Sequence, residues 1–398
     1  MENRSANESE GMQLSRPQPD LEIDYTEVKG KTYSCIDNCA LCCLCQPELL
    51  PDEAIRFRGD PVLAQGVAER HISPEVKGTA LKLRGAHGAC HFLANKRCKI
   101  YDLRPHFCRL FPVNVFVGWR IQLLTNLSCR GMGLPGSNLQ EEAEKIIADY
   151  GRAELSEQLD HAKKVFADFV RNCRATGVAQ SFSSLRSAAD SLMDELTDEL
   201  GLSRVLTYAE HGRTRQNASP TDIARLARRS DAVADIQERA LMDGTELFDL
   251  PDLSLLPIYI DEGMVWKIFE LKEKRIVGYV LAEDGTTDEF VRIDPNEVEL
   301  LPFEEQGRRL LGEYLSTINS RDCFLGHAAY LCDMDDYEFN FAQAYLGAMA
   351  NNALDLWWRS SFLAGLDGRE ELGAKEIRNG IVFFDMDLLD LPTIGAFI

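Results

Sequence analysis

An excess of positive charge is missing from this 398-residue chain: 43 Lys and Arg stand against 64 Asp and Glu, a formal net charge of -21. That balance argues against a general nucleic-acid binder or a binder of anionic membrane surfaces, since both depend on clustered cations. Long apolar runs are missing too. No window approaches the ~18 consecutive apolar residues that a membrane span requires. The opening stretch MENRSANESEGMQLSRPQPD lacks the apolar core and small-residue cleavage site of a signal peptide. Gly-x-Ser-x-Gly, P-loop and His-Glu-x-x-His motifs are absent, as is any repeat of ~20–50 residues. The expected setting is cytoplasmic, where thiols stay reduced.

Cysteine, by contrast, is plentiful. There are twelve, and nine of them fall between positions 35 and 129. In a reducing compartment such a cluster favours metal ligation over disulfides. The first group is Cys35, Cys39, Cys42, Cys43 and Cys45; the second is Cys90, Cys98 and Cys108, with Cys129 closing the set. Two four-cysteine sets can be drawn, Cys35, Cys39, Cys42 and Cys43 in one and Cys90, Cys98, Cys108 and Cys129 in the other. One pooled centre drawing on both groups fits the spacing equally.

The choice of metal turns on spacing and charge. Structural zinc usually takes two Cys-x-x-Cys knuckles on either side of a loop, whereas that spacing is confined here to the first group. An iron–sulfur cluster, 4Fe-4S for a four-cysteine set, tolerates irregular spacing because its ligands attach to several irons. Residues 82–109 also reverse the charge of the chain: Lys82, Arg84, Lys96, Arg97, Lys99, Arg104 and Arg109 face one carboxylate, Asp102. Such a shell offsets the negative charge of a thiolate-ligated centre. Iron–sulfur is the expectation and zinc the alternative. His87, His91 and His106 flank the cysteines as candidate ligands or neighbours. The Cys35-x-x-x-Cys39-x-x-Cys42 spacing is that of radical S-adenosylmethionine enzymes, yet no alternation of strands and helices follows it.

The cysteine runs CIDNCALCC and CHFL…CKIYDLRPHFCRLFP resemble the YkgJ-like cysteine cluster family, a family associated with zinc or iron chelation. Over residues 33–136 the resemblance implies metal binding, with Cys129-Arg-Gly as the last cysteine. The first spacing is three residues where the family has two, and Cys45 is extra. A more distant likeness to flagellin lysine N-methylase proteins implies a modifying enzyme acting on protein lysines. No glycine-rich S-adenosylmethionine loop accompanies it.

The fold expectation is α+β. Residues 1–30 read as a disordered lead, 31–137 as a small irregular cysteine-rich metal-binding domain, and 138–398 as a mainly helical region with a small antiparallel sheet. Helices are expected at Pro51, Pro61–Arg70, 139–175, Ser184–Leu200, Thr221–Met242, Phe303–Ile318 and Tyr337–Phe362. A hairpin is expected around Gly118-Trp119, a meander over 258–293, and a last strand or buried segment at Gly380–Met386. Cys173, Cys323 and Cys332 read as core residues. The function expected is metal binding without an assigned reaction, the alternatives being a lysine-modifying enzyme and a structural zinc adaptor. A protein substrate or redox partner is the expected partner class, with no nucleic acid and no membrane.

Overall fold

In the computed structural model, residues 21–71, 77–85, 87–215 and 217–389 are described. The architecture is α+β: small sheets and short turns carry the cysteines, and a mainly helical region follows. Residues 1–20 of the expected lead lie outside the described residues. Residues 21–30, however, are built into the fold. Ile23–Asp24 pairs in parallel with Ile121–Gln122, and Val28 is buried. The sequence hid this because two apolar residues among charges make a weak strand signal.

The hairpin Val113–Val117/Ile121–Thr125 forms where expected. Its alternation serves two cores at once, since successive side chains of a strand point to opposite faces. Val113, Val117, Ile121 and Leu123 pack with Leu139, Ile146, Ile147 and Leu155 of the helices Leu139–Tyr150 and Arg152–Thr176. Phe116 and Leu124 face the other way, onto Cys323 and Leu389. Packing therefore runs unbroken through residue 138, and Ser137–Asn138 itself pairs with Thr32–Tyr33.

The large core is built around Phe341–Leu366, a helix buried on nearly every side, as its all-round apolar sequence dictates. The meander Ile258–Ile260, Trp266–Lys272, Arg275–Leu281 and Thr287–Ile293 forms a four-stranded sheet in sequential order. Its Phe269 packs against Phe248, Phe362 and Phe383. Glu273 and Lys274 close the central hairpin with positive φ at both positions, the geometry a two-residue turn needs. The outer strand Thr287–Ile293 blunts its free edge with Asp288, Glu289 and Arg292.

Several expected elements differ. Pro61–Arg70 is a short 3-10 turn, Leu63–Gly66, leading into the strand Val67–His71. Ser184–Leu200 is divided because Asp198 caps a new helix, Glu199–His211, by accepting from the Gly201 N–H. Thr221–Met242 is likewise divided: Ser219 caps Pro220–Arg228 and Asp235 caps Ile236–Glu246. Gly380–Met386 is the middle of the helix Ala374–Leu388 and not a strand; its apolar run is buried against Phe341–Leu366.

A buried ionic knot ties Glu27, near the start of the described residues, to the last described helix. Arg321, fully buried, donates to Glu27 (2.9 and 3.1 Å), to Asp385 (2.7 Å) and to the Thr125 carbonyl (2.9 Å). Tyr314 adds a hydrogen bond to Asp385 at 2.6 Å. Burial by itself would raise the Glu27 pKa, but the Arg321 guanidinium and the Thr125 donors overcome it and hold the carboxyl below its usual value. No helix of the described residues is long and apolar enough to cross a membrane.

Candidate metal centre

Three loops bring the thiols together. In the first, Ala40 adopts a left-handed conformation and Leu41–Cys43 forms a 3-10 turn, with the Cys43 N–H donating to the Ala40 carbonyl at 3.0 Å. Leu41 and Leu44 anchor this loop in the large core. Cys42 and Cys43 stand side by side on this turn, their thiols sharing a hydrogen bond.

In the second loop, the Cys90 N–H donates to the Cys43 carbonyl at 2.8 Å. The hairpin Leu93–Ala94/Arg97–Cys98 turns through Asn95 and Lys96, both at positive φ. Pro105 then leads into His106–Leu110, which presents Cys108. Cys43, Cys90, Cys98 and Cys108 share one apolar nest with Leu49, Phe57, Leu81, Phe92 and Ile100.

The third loop follows the long hairpin. Cys129 N–H donates to the Asn126 carbonyl (3.2 Å), and Ser34 N–H donates to the Gly131 carbonyl (3.1 Å). Gly131 is required here, because a Cβ would run into the Ser34 carbonyl. That approach holds the Cys129 loop against the first loop, with Cys39, Cys42 and Cys35 as its thiol neighbours.

Each loop is clasped by a residue far along the chain. The Trp266 indole N–H donates to the Cys39 carbonyl at 2.8 Å, and the Lys96 ammonium lies over the same ring, 2.8 Å from its centre. The Glu283 carbonyl accepts from Ala89 N–H at 2.9 Å; its carboxylate accepts from Lys96 N–H at 2.5 Å and pairs with Arg84 at 3.3 Å. The Arg378 guanidinium donates to the carbonyls of Leu127 (2.8 Å) and Cys129 (3.1 Å). Arg130 reaches the other way, to Asn379 at 2.7 Å and to the Ile260 carbonyl at 2.6 Å.

Burial pushes the thiols toward their neutral form. Cys129 is raised to about 12; Cys108, Cys90, Cys98, Cys39 and Cys35 are raised by burial too, and neighbouring thiols push in the same direction. Cys42 alone is lowered, because the Cys43 S–H donates to it; Cys43 is raised by the same bond. Arg104, stacked on Tyr101 at 3.7 Å, favours the thiolates of Cys35, Cys42, Cys98 and Cys108. A donor set this rich in thiols and this hostile to uncompensated charge is suited to a thiophilic cation. Among the described residues no three His, Cys, Asp or Glu side chains stand close enough to cage an ion unaided. Metal binding would have to draw the thiols inward.

The histidines stand elsewhere. His106 is buried against Tyr150 (4.6 Å between ring centres), with both ring nitrogens unbonded. His91 packs edge-on to Phe92, and His87 faces Asp252 at 3.7 Å. Cys45 is exposed. Cys173, Cys323 and Cys332 are buried in the helical region. Trp266, Glu283 and Arg378 escaped the sequence reading; as ordinary residues in a strand, a turn and a helix, they carry no local signal.

Residues 34–130 match a protein family named CxxCxxCC, described as a "putative zinc- or iron-chelating domain". The match covers about a quarter of the chain and supports metal binding through a cysteine cluster. Here the first spacing, Cys35 to Cys39, departs from the pattern in that name. No curated protein and no solved structure gives a match.

Proposed function

We propose that this chain holds an iron–sulfur centre on the cysteines at 35, 39, 42, 43, 90, 98, 108 and 129, and that the centre orders the loops carrying them. The observation that carries the reading is the gathering of three separated cysteine loops around the Cys42–Cys43 turn, within reach of Arg104 and Lys96. Cationic neighbours offset the net negative charge that thiolates and sulfide give such a centre. The bound cluster supplies one-electron chemistry; the protein's share is to hold the thiolates, limit water and tie them to the helical region. Electron transfer or assistance to a protein-modifying reaction, with a redox partner or a protein substrate, is the role in view.

Anaerobic purification with metal and sulfide analysis tests this. Iron with matching acid-labile sulfide and a brown chromophore is the expected result. Colourless protein with stoichiometric zinc would replace iron–sulfur by a structural zinc module. Cys98→Ser and Cys108→Ser should each lower metal content, and wild-type loading in both would remove them from the ligand set.

A further inference from the structure

The sequence order of the cysteines suggests that the first four serve one centre and the last four another. The fold separates them differently. Cys43 leaves the first group: it shares an apolar nest with Cys90, Cys98 and Cys108, and its carbonyl holds the Cys90 N–H at 2.8 Å. Cys129 leaves the second group: the Ser34–Gly131 hydrogen bond and the close approach of Gly131 to the Ser34 carbonyl place it at the Cys35 end of the first loop.

The thiols nearest one another agree with this packing, apart from Cys42, which lies close to members of both sets. Cys129 is influenced by Cys35, Cys39 and Cys42, and Cys39 by Cys35 and Cys42. Cys108 is influenced by Cys90, Cys98 and Cys42, and Cys43 by Cys90, Cys98 and Cys42. Cys42 stands where the sets touch, hydrogen-bonded to Cys43.

We infer that the eight thiols form two four-cysteine centres that meet at the Cys42–Cys43 peptide: Cys35, Cys39, Cys42 and Cys129 in one, Cys43, Cys90, Cys98 and Cys108 in the other. This rests on the metal-binding reading above and assigns its ligands. It explains why two cysteines are adjacent. On the 3-10 turn the two thiols touch, and Cys43 packs into the nest of Cys90, Cys98 and Cys108, so metal loading would take one side chain of the pair to each centre. The two centres are then close neighbours sharing a short stretch of backbone, as suits either electron exchange between two clusters or a paired structural site.

Double variants of the full-length chain distinguish the groupings, with metal and sulfide counted per chain after anaerobic purification. Cys35→Ser with Cys129→Ser lies within one proposed centre, and so does Cys43→Ser with Cys90→Ser. Each pair should lose about half of the wild-type metal and leave the remaining chromophore intact. Under the sequence-order grouping each pair strikes both centres, and under a single pooled centre each strikes the whole; near-complete loss in folded variants overturns the inference. Where a double variant does not fold, cobalt(II) titrated into metal-free wild type counts the sites. Tetrahedral thiolate bands saturating at two equivalents support two centres, and saturation at one overturns them. A wild-type chain binding neither iron nor zinc sinks the parent reading, which the first measurement reveals before any variant is made.

Discussion

At Trp266 the indole N–H is a direct tie from the sheet to the first cysteine loop. Trp266→Phe keeps most of the buried ring but leaves the Cys39 carbonyl without its donor, a loss of about 1 kcal/mol. The urea midpoint should fall accordingly, and a chelator should strip metal faster than from wild type. Arg378 offers a larger effect. Arg378→Met fills similar space yet abandons two carbonyls, those of Leu127 and Cys129, at a cost of about 2–4 kcal/mol in all. Unchanged stability and unchanged metal release in Arg378→Met would show that the Cys129 loop is held without this clasp. The thiols themselves were legible from sequence because cysteine is rare and its crowding is visible without a fold. Their clasps were not, since nothing local sets Arg378 or Trp266 apart from any other arginine or tryptophan.

Among the elements, the last described helix shows how packing overrides intrinsic preference. Gly380 lies mid-helix, where alanine would ordinarily gain about 1 kcal/mol. Here a Cβ would run into Ser360 Oγ on the neighbouring helix, so Gly380→Ala should lower stability by about 1–3 kcal/mol. A rise in melting temperature would show that the two helices separate freely. Gly380–Met386 reads as a strand or buried segment in isolation, and it is buried, but in a helix: one covered on most sides loses the amphipathic stripe by which helices are recognised. The meander and the Val113–Thr125 hairpin were readable because each strand pair is closed by a short turn. Helix boundaries at Asp198 and Asp235 were missed because their caps sit inside otherwise continuous helical patterns.

Across the whole molecule, the α+β class followed from patterning, but the union of its halves did not. Glu27, Arg321 and Asp385 meet from opposite ends of the sequence. The Glu27 carboxyl is held below its usual pKa of 4.5, so the folded state binds that proton less readily than the unfolded chain. Its stabilisation is fully present above about pH 4.5 and is lost as pH falls through the depressed folded value. Glu27→Gln should cost about 3 kcal/mol at neutral pH and flatten the stability profile below pH 4.5. Denaturant titrations of both proteins between pH 3 and 7 measure this; parallel profiles would mean that the knot contributes no acid sensitivity.

The clasp from Arg378 to Cys129 spans 249 residues, and that distance has a meaning in time. A ribosome adding about 5–20 residues per second exposes Cys129 for about 12–50 s before Arg378 has been made. Every thiol of the three loops leaves the ribosome before the residues that fasten it, and during that interval the nascent chain is an open, cysteine-rich segment. Loading while synthesis is under way would meet loops not yet clasped, and completion of the last described helix would then fasten the Cys129 loop.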